Sequence, residues 1–398
     1  MKNFKKVLAL GLAAVMALAT VACGGNDAPA VGSEAGKTSE VASSNTWNIG
    51  GIGPTTGGAA IYGQAVMNGA QIAVDEINAA GGINGVMVDF KFEDDEHNPE
   101  KAVNAYNSLK DWGMEILLGT VTSGPCIAVA AESAADNMFT LTPSGSSVDI
   151  IADKTNVYQV CFTDPNQGTA SAQYIGENNM ASKVGIIYDS SDVYSSGIYE
   201  TFAKEAENQP FEIVEAQAFT ADSKQDFTVQ LQKIKDAGAE LVFLPIYYTE
   251  SALILTQAND MGFAPVFFSC DGMDGILGVD NFDTNLAEGV VLLTPFVADA
   301  TDDATVSFVQ KYQDTYGEIP NQFAADAYDG IYILKAALEA SGATADMSKS
   351  EICDAIVSVM PTISFDGLTG TGMTWEATGE VSKAPKAMVI KNGTYVAY

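Results

Sequence analysis

The chain has 398 residues, 51 of them acidic and 19 basic, for a formal charge of −32. Every basic residue is a lysine, and the single histidine leaves little for acid–base or metal chemistry. Charge of this sign and size repels phosphate backbones and excludes nucleic acid as a partner, while an apolar share of 47 % excludes an acidic disordered tail. The length accommodates two or three domains, each able to bury its own core.

In chain order, residues 1–22 carry Lys2, Lys5 and Lys6 and no acid, then an apolar run from Val7 to Ala19 broken only by Gly11. This is the pattern of a removable signal peptide, too short to span about 30 Å of hydrocarbon as an anchor. Its loss leaves 16 basic against 51 acidic residues, 16 − 51 = −35. Thr20-Val21-Ala22-Cys23 places small residues before a cysteine in the manner of a bacterial lipobox, with Thr20 where leucine is usual. Cys23 is therefore the expected lipidation site, and two acyl chains suffice for stable anchoring at the outer face of the cell membrane. Residues 23–46, rich in Gly, Ala, Ser and Glu and without periodicity, read as a flexible tether. Within them Gly32 to Thr38 imitates a phosphate loop but is one residue short and lacks a preceding strand.

From Trp47 onward short β-rich runs alternate with amphipathic stretches. The predicted strands are Asn48–Gly53, Val86–Phe92, Ile116–Gly119, Met138–Thr142, Lys183–Tyr188, Glu212–Phe219, Leu241–Pro245, Pro265–Ser269 and Gly289–Pro295. The predicted helices include Tyr62–Ala79, Glu100–Trp112, Asp226–Ala237, Glu250–Met261, Thr305–Tyr316 and Phe323–Ala340, several of them closing on glycine at Gly81, Gly238 and Gly262. Such alternation means βαβ units and parallel sheets covered by helices. The strands fall into two series, before Phe162 and from Lys183 to Pro295, with Phe162-Thr163-Asp164-Pro165-Asn166 as a crossover, and β-like segments return at Ala387–Tyr398. The layout is α/β: two doubly wound parallel-sheet lobes, joined by a hinge, with a ligand cleft beyond the carboxyl ends of their strands. Cys126, Cys161, Cys270 and Cys353 are far apart, with no CxxC pair, and read as buried free thiols.

Three constellations point at the cleft. Gly51 to Gly58 is a glycine-rich strand-to-helix turn that misses the dinucleotide spacing and serves to bring Tyr62 to the cleft. Thr120-Val121-Thr122-Ser123 and Thr142-Pro143-Ser144-Gly145-Ser146 are hydroxyl-rich strand ends whose free N–H and O–H groups suit a carboxylate without any arginine. Tyr194, Tyr247 and Asp271 offer one charge and aromatic faces, which an ammonium group requires. The acid cluster from Glu93 to Glu96 beside His97 lacks calcium-loop spacing and is a poor zinc site; it reads as a solvated strand end. No G-x-S-x-G elbow occurs and His97 is the only imidazole, so neither a nucleophile–base pair nor a cofactor or metal is expected.

These residues resemble the extracytoplasmic amino-acid-binding component of an ABC importer, of the leucine/isoleucine/valine-binding type. The resemblance runs from Trp47 to Tyr398. It rests on Gly53-Pro54-Thr55 through Tyr62-Gly63, Asn68-Gly69-Ala70 through Asn78, Gly81 to Gly85, Asp94-Asp95 to Pro99, Thr142-Pro143-Ser144, Tyr194 with Gly197, Tyr247-Tyr248 and Tyr328-Asp329. It implies the type I periplasmic-binding-protein fold, with lobe 1 over 47–163 and 296–370 and lobe 2 over 164–295 and 371–398. It implies that Ser123, Ser146 and nearby backbone, including Gly145, hold a carboxylate, and that the Ser144 main chain and Asp271 hold the ammonium. Tyr62, Val121, Thr122, Tyr194, Tyr247 and Phe323 would line the side-chain pocket. Asp271 replaces a longer glutamate, and residues 144–146 are Ser-Gly-Ser where the best-known members have Ala-Ala-Thr. Those members join the loops at positions 97 and 122 by a cysteine pair that this chain lacks.

The expected function is capture of a small amino acid, branched-chain or otherwise apolar, by lobe closure for delivery to a membrane permease, by a monomer without cofactor. The same scaffold could instead take an amide, urea or an aromatic acid, or serve as the sensing domain of a receptor. A ligand without an amine would leave Asp271 buried and unpaired.

Overall fold

The computed structural model describes residues 46–398; the signal peptide, Cys23 and all of the expected tether but Thr46 lie outside them. The first series is β1 (Trp47–Gly53), α1 (Ala60–Ala79), β2 (Val88–Asp94), α2 (Pro99–Trp112), β3 (Ile116–Gly119), α3 (Ser123–Ala135), β4 (Phe139–Thr142) and β5 (Val157–Gln159). The second is α4 (Asp164–Glu177), β6 (Lys183–Asp189), α5 (Val193–Ala206), β7 (Glu212–Phe219), α6 (Thr228–Asp236), β8 (Leu241–Leu244), α7 (Tyr248–Asp260), β9 (Val266–Ser269) and β10 (Val291–Thr294). There follow α8 (Asp303–Tyr316), α9 (Gln322–Ser341), α10 (Lys349–Val359), β11 (Lys386–Lys391) and β12 (Thr394–Ala397).

Strands such as Ile116-Leu117-Leu118-Gly119 and Leu241-Val242-Phe243-Leu244 are buried along their whole length, as parallel strands covered on both faces must be. The first sheet has the order β2-β1-β3-β4-β5, parallel throughout; the second runs β12-β11-β10-β9-β8-β6-β7, parallel except for β11, which pairs antiparallel with both β10 and β12. In each sheet the order reverses next to its first strand, and the crevices so formed open at the carboxyl ends of β1 and β3 and of β6 and β8. We call the layers around the two sheets the first and second lobes.

Helix ends follow local chemistry. Asn98 accepts from the Glu100 and Lys101 amides at the start of α2, with Pro99 in the first turn, and Asp192 accepts from Tyr194 and Ser195 at the start of α5. Gly81, Gly238 and Gly262 take φ of +104°, +76° and +60°, as the helix-closing glycines were expected to. α1 and α9 pack backbone to backbone at Gly69, where a Cβ would come 2.0 Å from the Ala324 carbonyl oxygen.

The last crossing of the chain is bonded to the first. Trp375 Nε1 donates to Gln159 O at 2.8 Å, and Lys383 Nζ reaches Val160 O (3.0 Å), Thr369 Oγ1 (2.6 Å) and Asp326 Oδ1 (2.7 Å), an ion pair with both side chains buried. The crossover at Phe162 is shorter than expected, because α4 already begins at Asp164. Cys126, Cys161, Cys270 and Cys353 are buried and free, as expected. No helix among the described residues is long and apolar enough to cross a membrane.

Candidate functional site

Ten of the eleven predicted site residues line one cavity between the lobes, with about 230 Å³ of empty space: Tyr62, Val121, Thr122, Ser123, Ser144, Ser146, Tyr194, Tyr247, Asp271 and Phe323, joined by Gly272. The first lobe supplies a donor end. The loops after β3 and β4 are stitched together by Thr142 Oγ1 donating to Thr120 O (2.6 Å) and Ser144 Oγ to Val121 O (2.7 Å). Ser123 Oγ accepts from the amides of Ser146 (3.3 Å) and Ser147 (3.2 Å), which leaves its O–H free to donate. Ser123 also opens α3, whose first-turn amides have no partner within the helix and carry the positive end of its dipole.

Gly145 is the exception. Its amide donates to Thr142 Oγ1 (2.8 Å) and its carbonyl accepts from Gln159 Nε2 (2.8 Å), so it faces into the lobe. A Cβ there would stand 2.8 Å from Thr142 Oγ1 and 2.9 Å from Ile150 Cδ1.

The second lobe supplies an acceptor end. Asp271, 4 % exposed, receives Tyr194 Oη at 2.7 Å on one oxygen and Gln167 Nε2 at 3.0 Å on the other. No lysine pairs with it among the described residues. Burial pushes its carboxyl up to about 7, with the charge of Asp326 acting the same way against the Tyr194, Gly272 and Gln167 donors. The walls between the two ends are aromatic. Tyr247 stacks on Tyr194 (4.9 Å between centroids, 14°), and Tyr62 lies 4.2 Å from Phe323.

Four hydrogen bonds join the lobes at the mouth. Tyr62 Oη donates to Gly272 O (2.5 Å) and accepts from the Tyr248 amide (3.2 Å), the Ile61 amide donates to Tyr248 Oη (3.1 Å), and Thr249 Oγ1 donates to Gly58 O (2.7 Å).

Two carboxylates depart from expectation. Asp164, met in the sequence only as part of a crossover, is 1 % exposed at the start of α4; the Ser146 hydroxyl is its neighbouring donor, and among the described residues neither its oxygens nor Ser146 Oγ has a well-formed hydrogen bond. Burial raises its carboxyl well above the ordinary value. The one signal for it was Gly197, where a Cβ would lie 3.3 Å from Asp164 Oδ2. The second correction concerns the acid cluster, which is not simply a solvated strand end. Asp95 is fully buried and raised to about 7 by that burial, whereas Asp94 faces outward to hold the Thr55 amide (2.8 Å) and Thr56 Oγ1 (2.5 Å). Where a cysteine pair would join the loops at 97 and 122, His97 Nδ1 lies 2.9 Å from Thr122 Oγ1.

A larger space of about 1320 Å³ lies elsewhere between the lobes, against Leu277, Val309, Ile319 and Tyr395, and shares no residue with the predicted set. It is the smaller cavity that has donors at one end, a carboxylate at the other and apolar walls between them, and that convergence marks a ligand site better than volume does.

Two doubly wound lobes closing over such a cavity define a two-lobed solute binder. The chain belongs to the periplasmic binding protein family, whose model matches residues 46–394. This is a family of binding proteins, not of enzymes. A Leu/Ile/Val-binding protein, BraC3, of Rhizobium johnstonii is 30 % identical over 303 residues, 75 % of this chain and 80 % of its own. A Leu/Ile/Val-binding protein homolog of Brucella melitensis is 29 % identical over 335 residues, 84 % of this chain and 88 % of its own. Among solved structures, the branched-chain amino acid transporter substrate binding protein LivJ of Streptococcus pneumoniae, in complex with isoleucine, superposes with a TM-score of 0.80 at 28 % identity over 88 % of this chain and 98 % of that one.

Proposed function

We propose that this protein captures a branched-chain amino acid outside the cytoplasm and, on closing, presents it to the permease of an ABC importer. The observation that carries the reading is Asp271, a buried carboxylate with no cationic partner among the described residues, set across an aromatic-walled cavity from the free Ser123 hydroxyl. The ligand ammonium would bond Asp271 and the Ser144 carbonyl. Its carboxylate would take the Ser123 and Ser146 hydroxyls and the first amides of α3, and its side chain would lie among Tyr62, Val121, Thr122, Tyr194, Tyr247 and Phe323. Charge-assisted bonds in a cleft that sheds water on closing supply the affinity. The names of the relatives and the isoleucine in the pneumococcal structure favour leucine, isoleucine and valine. The mature protein in this reading is a monomer tethered by lipidated Cys23, with its lobes changing over near Asp164, Pro295 and Gly370.

The test is thermal unfolding against the twenty amino acids, urea, short amides and benzoate. A ligand at 100 times its Kd adds about 2.7 kcal/mol, which for roughly 350 residues raises Tm by about 4 °C. Shifts with leucine, isoleucine or valine support the reading. Shifts with only an amide or benzoate would overturn the ligand class and keep the fold.

A further inference from the structure

His97 is the chain's one histidine, and the binding scheme above makes no use of it. It occupies a two-residue left-handed turn between β2 and α2, with φ of +50° at Glu96 and +57° at His97, and its amide donates to Asp95 Oδ1 at 2.8 Å. From that turn the ring reaches two walls of the ligand cavity. Nδ1 lies 2.9 Å from Thr122 Oγ1, and the ring stands edge-on to Tyr247, with centroids 5.5 Å apart at 90°. Thr122 precedes α3 at a position where a threonine hydroxyl ordinarily caps the helix, yet it makes no capping bond; its hydroxyl is hydrogen-bonded to His97 instead. Tyr247 belongs to the other lobe and stacks on Tyr194, whose hydroxyl holds Asp271. One imidazole thus touches the donor end of the site through Thr122 and the acceptor end through Tyr247.

We infer that His97 is a positioning residue for ligand binding: it orients Thr122 within the first lobe and seats against Tyr247 of the second only when the cleft is closed. This rests on the reading that the Asp271 cavity takes the ligand.

The inference makes closure proton-linked. The charged and titratable groups that line a pocket with the ring from the other lobe are Asp189, Asp192, Tyr194, Lys224, Tyr247 and Glu250; on its own loop they are Asp94, Asp95 and Glu96. Lys224 is paired with Glu250 at 3.3 Å and Glu96 with Lys101. In the closed form burial holds the imidazole below its ordinary 6.5; Lys224 adds to this, and Glu250 and Asp189 oppose it. Opening returns the ring to water, which relieves the burial that is the largest of these effects, and takes Lys224, Glu250 and Asp189 away together, so the open form binds the proton more readily. Closure and protonation therefore oppose each other, and acidification through pH 6.5 weakens ligand binding.

A single histidine makes the test clean. The ring resonances of the wild-type protein are titrated by NMR between pH 4.5 and 8.5, with and without saturating L-isoleucine, whose binding is followed separately by calorimetry. The expected result is a midpoint lowered by isoleucine; a drop of one unit corresponds to about a tenfold coupling between proton and ligand. In His97→Gln, which keeps a hydrogen-bonding group but cannot titrate, affinity should fall less between pH 7.5 and 5.5 than in wild type. Isoleucine binding with an unmoved midpoint overturns the role of His97 and leaves the ligand reading intact. Absence of binding by isoleucine and by every other amino acid removes the ligand reading, and this inference with it.

Discussion

Replacing Asp271 by asparagine removes a charge and almost no volume, and the structure sets what should follow. The folded carboxyl titrates near 7 rather than 3.8, so holding it ionised in the closed protein costs up to (7 − 3.8) × 1.36, about 4 kcal/mol. The folded-state value is raised, so this penalty is absent below about pH 4, grows as pH rises and is complete above about 7. Unfolding of roughly 350 residues releases about 0.74 kcal/mol per degree, so Asp271→Asn should raise Tm of the ligand-free protein by up to about 5 °C at pH 8. The gain should shrink toward zero by pH 4. Ligand binding should move in the opposite sense. Losing the charged partner of a buried ammonium costs roughly 2–5 kcal/mol, or about 30- to 5,000-fold in Kd. Differential scanning fluorimetry across pH 4–8, with isothermal titration of isoleucine at pH 8, measures both. A variant no more stable than wild type at pH 8, or one binding isoleucine within threefold of wild type, would refute the reasoning.

Three further outcomes are expected. Ser123→Ala deprives the Ser146 and Ser147 amides of their acceptor and the ligand carboxylate of a donor, and should weaken isoleucine about 10- to 100-fold by calorimetry. Lys383→Met leaves Asp326 buried without its partner and should cost about 3–5 kcal/mol in urea unfolding, with partial recovery on adding Asp326→Asn. Gly69→Ala forces α1 away from the Ala324 carbonyl and should lower stability by about 3 kcal/mol in the same assay.

The alternation of β and α elements was legible because buried parallel strands are continuous apolar runs, and Ile116–Gly119 coincides with the expected range; Glu212–Phe219 coincides too, although as an edge strand it is half-exposed and carries Glu215 and Gln217 among its β-formers. β5 was missed because Val157-Tyr158-Gln159 is too short to express a period. The cavity walls were legible because hydroxyl-rich segments follow apolar strands at the carboxyl ends that face a cleft. Gly145, expected at the ligand, does not line the cavity that Ser144 and Ser146 share: its amide and carbonyl are taken by Thr142 and Gln159 inside the lobe, and no sequence pattern shows which way a glycine's backbone groups turn. Asp164 resembles any acid in a first helical turn, and only the fold buries it. Asp95 is one of four consecutive acids from Glu93 to Glu96, and no sequence pattern distinguishes the one that turns inward from its half-buried and exposed neighbours.

The bonds across the mouth, from Tyr62, Ile61 and Gly58 on one side to Gly272, Tyr248 and Thr249 on the other, are made by the protein to itself. At about 0.5–1.5 kcal/mol each, the four together favour the shut cleft by roughly 2–6 kcal/mol, whatever solute lies inside. Every captured molecule must wait for the same latch to break before it can leave. Solutes that differ in their own contacts then share a common minimum dwell time, and a transporter that unloads this protein has to pry apart tyrosine hydroxyls before it meets the cargo.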